Sequence, residues 1–190
     1  MVRGLEAGFL LDRQWHLLRG EMEHTKRPAL LLLARVLTDA GVPYAIIGGV
    51  AVQVHLPEPR TTLDIDLALA SFAQIPRAGL EAAGFRLTGR FPHSENWVGP
   101  EGTPVQFTDD PALREAVLRA EQIALEDVRI RVIRPADLLH EKLRAASDVA
   151  RRRSKRLQDL ADAQALIEAT PELASELTPP ERALLDQAPR

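Results

Sequence analysis

The sequence YAIIGGVAVQVHLPEPRTTLDIDLAL occupies residues 44–69, and the interpretation of the rest of the chain starts from it. Its first four residues are apolar and predict a short buried strand. Gly48 and Gly49 follow, and residues 50–56 have the length and pattern of a short helix. A strand, two residues without side chains and a helix start together let backbone N–H groups approach a phosphate closely. The same residues also fit a tight strand-to-helix turn with no ligand.

Two aspartates, Asp64 and Asp66, interrupt a second apolar segment over residues 63–69. If this segment is a strand, its side chains alternate between faces, so both carboxylates lie on one face. Two like charges on an otherwise apolar strand are costly without a counter-charge. Oxygen ligands suit Mg²⁺, which takes much of its remaining shell from substrate phosphates. The pair therefore predicts a Mg²⁺ site, with an exposed strand face as the alternative.

These motifs carry a family resemblance. Gly-Gly, a short helix, Arg-x-Thr and Asp-x-Asp resemble the signature of the nucleotidyltransferase (polymerase-beta-like) superfamily, and residues 60–67, RTTLDIDL, are similar to its AbiEii-type branch. That branch includes the toxins of type IV toxin–antitoxin systems. The resemblance covers residues 28–169 and implies an α/β fold, with a mixed sheet flanked by helices and a helical C-terminal part. It also implies that Asp64 and Asp66 are catalytic metal ligands, and that the nucleotide is bound by Gly48, Gly49, Arg60, Thr62 and Lys142.

A second group of charged residues lies further along the chain. Lys142 is in a predicted helix, and a basic run precedes Asp159 in the segment KRLQDLAD, residues 155–162. This order resembles the second signature of the AbiEii-type branch, which implies that Lys142 contacts the triphosphate and that Asp159 is an active-site acid. The alternative is a pair of surface helices with solvated charges, including an i,i+4 pair between Lys155 and Asp159.

The superfamily typically has a third acidic residue on a neighbouring strand, and here the matching position is Gln106. A glutamine amide oxygen is a weaker metal ligand than a carboxylate and carries no charge. This departure leaves open the second metal and the deprotonation of an attacking hydroxyl. Asp109 and Asp110 follow closely, but their position favours capping of the next helix.

Composition limits the possible functions. The chain has 190 residues, a formal net charge of −3 and no cysteine, so disulfides and thiolate metal sites are excluded. The N-terminus does not resemble a signal peptide, and no apolar run has the length of a membrane span, so we expect a cytoplasmic protein without membrane contact. The densest basic run is compatible either with binding a polyanion such as tRNA or with a solvated helix start; it comprises Arg151, Arg152, Arg153, Lys155 and Arg156.

We predict three regions: a helical lead-in over residues 1–24, a nucleotidyltransferase-like α/β core over 25–134, and a helical C-terminal part of the same domain over 135–190. In the lead-in, Trp15 is predicted to pack in the core together with Leu10, Leu11 and Leu18. Further helices are predicted over residues 28–40, 71–83, 111–120, 135–147 and 151–169, and strands over 85–91, 97–107 (with a turn) and 128–133.

The leading hypothesis is a Mg²⁺-dependent nucleotidyltransferase that moves an NMP from an NTP to an acceptor hydroxyl and releases pyrophosphate. The branch's toxins suggest a tRNA 3′ end or another RNA or protein hydroxyl, and a cognate antitoxin protein as a possible partner. A small molecule such as an aminoglycoside is the alternative acceptor. Because Gln106 replaces an acid, a second hypothesis is a module that binds nucleotide or RNA without transfer.

Overall fold

The computed structural model describes residues 3–20, 25–58 and 60–186. The chain divides into two compact units, Met1–Ile133 and Arg134–Arg190. Each unit has its own helices or strands.

The first unit contains a mixed seven-stranded sheet, which confirms the predicted α/β class. The strands are β1 (Tyr44–Ile47), β2 (Ile65–Leu69), β3 (Arg86–Phe91), β4 (Ser94–Val98), β5 (Pro104–Thr108), β6 (Glu121–Leu125) and β7 (Val128–Val132). Their order in the sheet is β3-β4-β5-β2-β1-β7-β6. Strand β2 runs antiparallel to β1 and parallel to β5, and β1 runs parallel to β7.

The central strands form the core of this unit. All four residues of β1 are buried, as expected for a short apolar strand with a neighbour on each side. In β2 only Asp66 is partly exposed. Strand β6 was not predicted, because a short segment that starts with Glu121 and Gln122 lacks the apolar alternation of a half-buried strand.

Among the described residues of this unit, the sheet is accompanied by the α-helices α1 (Arg3–Leu18), α2 (Arg27–Asp39), α3 (Gly48–His55), α4 (Arg77–Ala82) and α5 (Arg114–Arg119). The prediction of one continuous helix over residues 71–83 is wrong. A 3₁₀ turn, Phe72–Gln74, comes first, and α4 begins only after Pro76, whose ring and missing N–H interrupt a helix at that point.

The predicted burial of Trp15 is also wrong. Helix α1 forms as predicted, but the Trp15 side chain is 44% exposed and that of Leu18 is 85% exposed. The buried face of α1 instead carries two glycines, a leucine, a phenylalanine and an aspartate: Gly4, Leu5, Gly8, Phe9 and Asp12. Hydrophobic periodicity missed this face because close packing is achieved there by small residues and a paired charge. Residues 1–2 and 21–24 of the predicted lead-in lie outside the described residues.

The second unit is helical, with α6 (Pro135–Ser147), α7 (Arg153–Ala169), a 3₁₀ turn (Pro171–Ser175) and α8 (Pro179–Asp186). Pro135 occupies the first turn of α6, where a missing N–H costs nothing. Helices α6 and α7 bury Leu138, Leu143 and Leu166. Among the described residues, no helix is both long enough and apolar enough to cross a membrane.

Candidate active site

Gly48 is the first residue of α3 and has a φ of +61°, a conformation that side chains rarely adopt. A Cβ atom at this position would lie 2.1 Å from Oδ2 of Asp66. The Asp66 carboxylate therefore lies directly against the backbone at the start of the helix. A glycine is required here both for the dihedral angle and for the close approach.

Gly49 occupies the next helical position and is equally confined. A Cβ atom there would lie 2.5 Å from Nη1 of Arg60 and 2.5 Å from Oγ1 of Thr62. The residue before the helix, Ile47, provides no side-chain hydrogen bond to the first turn. The first N–H groups of a helix lack intrahelical partners, so this helix start, with a guanidinium beside it, suits an anion.

The two aspartates are positioned by different means. Strand β2 begins at Ile65, so the alternation of strand side chains applies to Asp66 but not to Asp64. Asp64 is exposed and precedes the strand, and its Oδ1 accepts a hydrogen bond of 2.5 Å from the Thr62 hydroxyl. A threonine within the Arg-x-Thr motif thus orients one carboxylate, while Gly48 makes room for the other.

Gln106 lies beside Asp66. The two residues are register partners in the parallel pair β2–β5, and partners in adjacent strands project from the same face of a sheet. Gln106 is exposed, and its partner on the other side is Asn96 of β4. Sequence reasoning missed Asn96, because the residues of β4, SENWV, do not alternate between apolar and polar, and the predicted strand began only at Trp97.

The other two aspartates near this strand have separate contacts. Asp110 caps the following 3₁₀ turn through a 2.9 Å hydrogen bond from the Ala112 amide, as predicted. Asp109 lies 3.2 Å from Nδ1 of His93. Within the described residues, no group of three or more histidine, cysteine or acidic side chains is arranged to hold a metal ion. The donors gathered around Asp66 are carboxylate and amide oxygens, which are the ligand type that Mg²⁺ prefers.

In the second unit, Lys142 is the centre of a buried charge cluster. Its Nζ lies 3.0 Å from Oδ1 of Asp159 and 2.9 Å from Oδ2 of Asp162, and all three side chains are at most 6% exposed. Arg151 Nε donates to the other oxygen of Asp159 at 2.8 Å. The alternative of solvated charges with Lys155 paired to Asp159 is therefore wrong for this cluster. Sequence reasoning missed Asp162, which lies on the same face of α7 as Asp159 because of their i,i+3 spacing.

The cluster also shifts the ionisation of its members. Burial disfavours the Lys142 ammonium, but Asp162 and Asp159 outweigh this effect, and the pKa of Lys142 lies above its ordinary value. Lys142 therefore stays charged at neutral pH. Burial raises the pKa of the neighbouring Glu141 carboxyl, which sequence reasoning did not single out.

The mixed sheet, with a diglycine helix start against Asp66 of β2, is the architecture of a nucleotidyltransferase. The family model described as "Nucleotidyl transferase AbiEii toxin, Type IV TA system" matches residues 31–188. The chain belongs to this family and is a nucleotidyltransferase, a class of enzyme that generally uses a divalent metal. This match confirms the predicted membership in the AbiEii-type branch of the nucleotidyltransferase superfamily.

Solved structures show the same fold. An antigenic nucleotidyltransferase-like protein from Paracoccidioides brasiliensis is 22% identical, with a TM-score of 0.52, over 83% of this chain and 90% of its own. ANT(2'')-Ia in complex with adenylyl-2''-tobramycin is 14% identical, with a TM-score of 0.57, over 86% and 99%. The lincosamide antibiotic adenylyltransferase LnuA, bound to lincomycin, is 17% identical, with a TM-score of 0.54, over 77% and 98%. Among curated proteins none matches this chain.

Proposed function

We propose that this protein is a Mg²⁺-dependent nucleotidyltransferase that moves an NMP from an NTP to an acceptor hydroxyl and releases pyrophosphate. The observation that carries this proposal is the convergence at the start of α3. There, Gly48 touches the Asp66 carboxylate and Gly49 touches Arg60 and Thr62. An anion-binding helix start and metal-binding carboxylates are thus neighbours, as transfer of a phosphoryl group requires.

The triphosphate is bound by the first turn of α3 and by Arg60. The backbone N–H groups after Gly48 supply hydrogen bonds, and the glycines let phosphate oxygens come close to them. The Arg60 guanidinium lies against Gly49 and supplies a fixed positive charge with several donors. Catalysis by these groups consists mainly of positioning and electrostatic stabilisation.

Asp64 and Asp66 would hold Mg²⁺, which when bound neutralises phosphate charge at the reacting centre. Thr62 keeps Asp64 in one orientation through its hydroxyl. Gln106, beside Asp66, contributes an amide and no base. General-base help is typically worth about 10²–10⁴-fold, so without a third carboxylate the acceptor hydroxyl is weakly activated and turnover is slow.

For Lys142 and Asp159 we propose the roles that the AbiEii resemblance implies. Lys142 neutralises triphosphate charge, and Asp159 holds the lysine in place. The contacts within the second unit support this assignment, because Asp159 and Asp162 account for two of the three ammonium hydrogens of Lys142. The pKa of Lys142 lies above its usual value, so the required positive charge is present at neutral pH.

We propose RNA, and specifically a tRNA 3′ end, as the acceptor, and a cognate antitoxin protein as a partner. On the first unit, the sheet face beside Asp66 carries the amides Gln106 and Asn96 and, next to Gly89, the exposed ring of Phe91. Amides can hydrogen-bond base edges and an exposed ring can stack on a base. Binding of an aminoglycoside, which is a polycation, would be favoured by carboxylates rather than by amides and an aromatic ring. An aminoglycoside is therefore the alternative acceptor and not the first choice.

In the second unit, the basic run before and within α7 also supports the proposal of an RNA acceptor. Arg152, Arg153 and Lys155 are exposed, whereas Arg151 is engaged by Asp159. Helix α7 has no acidic residue in its first turn. Positive side chains at the positive end of a helix dipole destabilise the helix slightly, and the resulting potential attracts a polyanion.

The second candidate function is a module that binds nucleotide or RNA without transferring anything. The observation in its favour is Gln106, which occupies the position beside Asp66 where the superfamily has an acid. A neutral side chain there leaves nucleotide binding by α3 intact while removing the base. The two candidates therefore differ in turnover rather than in affinity.

The decisive experiment is to incubate the protein with Mg²⁺, each labelled NTP, and either total RNA or an aminoglycoside. We expect label on RNA, and we expect Asp64→Ala and Asp66→Ala each to abolish transfer while the fold is kept. Asp127→Ala is the matched control, since it removes an exposed aspartate that pairs with Arg35. Unchanged labelling by both site variants would overturn the site, and nucleotide binding without any labelled acceptor would favour the binding module.

A further inference from the structure

A buried ion pair joins α1 to the start of α2. Lys26 Nζ lies 3.0 Å from Oδ1 and 2.8 Å from Oδ2 of Asp12, and both side chains are 1% exposed. The Lys26 backbone amide also points at Asp12 Oδ2, at 3.4 Å. A buried charge pair is costly to desolvate, so stability alone does not account for it. Both residues precede the segment that matches the family model, residues 31–188.

The third contact of Lys26 points to that explanation. Its Nζ donates at 2.8 Å to the carbonyl oxygen of Thr62, the residue whose hydroxyl orients Asp64. An ammonium group has three donors, and here Asp12 takes two and Thr62 one. Lys26 therefore has no donor left for a phosphate and cannot serve as a substrate-binding lysine.

A second buried side chain holds the same segment. Gln53 in α3 is fully buried, and its Nε2 donates at 2.5 Å to the carbonyl oxygen of Arg60. Helix α1 leaves space for this amide at Gly8, where a Cβ atom would lie 2.3 Å from Gln53 Nε2. Two internal donors from different elements thus hold alternate carbonyls of the segment 60–62.

We propose that Asp12 and Lys26 are positioning residues for the active site: they hold the backbone at Thr62 so that Thr62 presents Asp64 for metal binding. Asp12 keeps the Lys26 ammonium in place, and the ammonium fixes the position of the Thr62 carbonyl. The Thr62 hydroxyl, held in this way, orients the Asp64 carboxylate through its hydrogen bond. The metal-binding role of Asp64 rests on the proposed function. The anchoring of residues 60–64 does not, and it can be measured without substrate.

The first test is amide hydrogen exchange of the metal-free protein over residues 60–66. Removing only one member would leave a buried charge unpaired, so the double variant Asp12→Leu/Lys26→Met is used. We expect exchange over 60–66 to become faster by roughly tenfold or more, because a hydrogen bond from a charged donor is lost. A second double variant, Asp12→Asn/Lys26→Gln, keeps polar groups in the site but withdraws the ammonium from Thr62. It should show the same faster exchange, and it replaces the first variant if that one folds poorly.

The matched control is Arg77→Met/Glu95→Gln. It removes another ion pair with a buried carboxylate, with N–O distances of 2.7 and 2.8 Å, in the same unit, and the other contacts of this pair are with Phe72, Arg90 and Trp97. Exchange over 60–66 should stay close to wild type in this control. Equal exchange over 60–66 in both Asp12/Lys26 double variants and the control would overturn the anchoring.

The second test is calorimetric binding of Mg²⁺ with a non-reactive NTP analogue. Here we expect roughly tenfold weaker binding for the Asp12/Lys26 double variants and no change for the control. Faster exchange with unchanged binding would refute the transmission to Asp64, provided that the wild type binds. If the wild type binds no nucleotide and labels no acceptor, the proposed function fails, and the exchange result alone still decides whether the pair anchors the segment.

Discussion

Replacing Gln106 by aspartate restores the acid that the superfamily has at this position, and it tests both the site and the enzyme assignment. Gln106 and Asp66 are partners on adjacent parallel strands, so the new carboxylate would stand about 5 Å from Asp66. Two unit charges at that distance repel by about 1 kcal/mol in water and about 3 kcal/mol at an effective dielectric constant of 20. Because Gln106 is exposed, we expect a value toward the lower end.

The metal-free Gln106→Asp protein should therefore be less stable than wild type by about 1–2 kcal/mol, which lowers the melting temperature by several degrees in a chain of this size. Saturating Mg²⁺ with nucleotide should more than recover this loss, because a divalent ion turns the repulsion into attraction. The additional base should also raise turnover, up to the roughly 10²-fold at the lower end of general-base effects.

The assay combines thermal unfolding with and without Mg²⁺ and NTP with the transfer of label to RNA. Asn96→Asp is the matched control: it is one strand further from Asp66, at about twice the distance, and should produce less than half of the stability change. If Gln106→Asp alters neither metal-free stability nor the response to Mg²⁺, then Gln106 does not face the aspartates. If neither wild type nor variant transfers label although both bind nucleotide, the binding module is the better description.

Three further predictions concern other parts of the molecule. Gly48→Ala should lose nucleotide binding and destabilise the fold by about 1–3 kcal/mol, because it combines a strained φ with a clash against the Asp66 carboxylate. Calorimetry measures the binding and thermal unfolding the stability, and wild-type nucleotide affinity would contradict the phosphate-binding role. Lys142→Met should lower the free energy of unfolding by about 3 kcal/mol or more, since two buried carboxylates lose their common partner; denaturant titration measures this loss, and a variant as stable as wild type would contradict it. Changing Arg152, Arg153 and Lys155 together to glutamine should weaken RNA binding and reduce the slope of log affinity against log salt by about 0.7–0.9 per lost phosphate contact, whereas equal slopes would identify the run as a solvated helix start.

Local sequence was sufficient for the framework of the site. A run of four apolar residues between Gly-Val-Pro and a diglycine could only be a buried strand or a short piece of helix, and the following Gly48 marked the turn of the backbone. These two features depend on residues that are close in sequence, where steric limits and side-chain periodicity act directly. The position of Gln106 was taken instead from the family resemblance, and the pairing of β2 with β5 places Gln106 beside Asp66.

The buried contacts that support the site were determined only by the tertiary structure. Asp12 and Lys26 look like ordinary surface charges in the sequence, and they become a buried pair only when α1 packs on α3 and the Thr62 carbonyl comes within reach. Trp15 looked like a core residue, yet the buried face of α1 is made by glycines and an aspartate. Charge pairing and close packing depend on which atoms long-range contacts bring together, and a single sequence carries no periodic signal for them. The chemistry of the site was therefore readable along the chain, whereas the support that holds it in place was determined only by the folded structure.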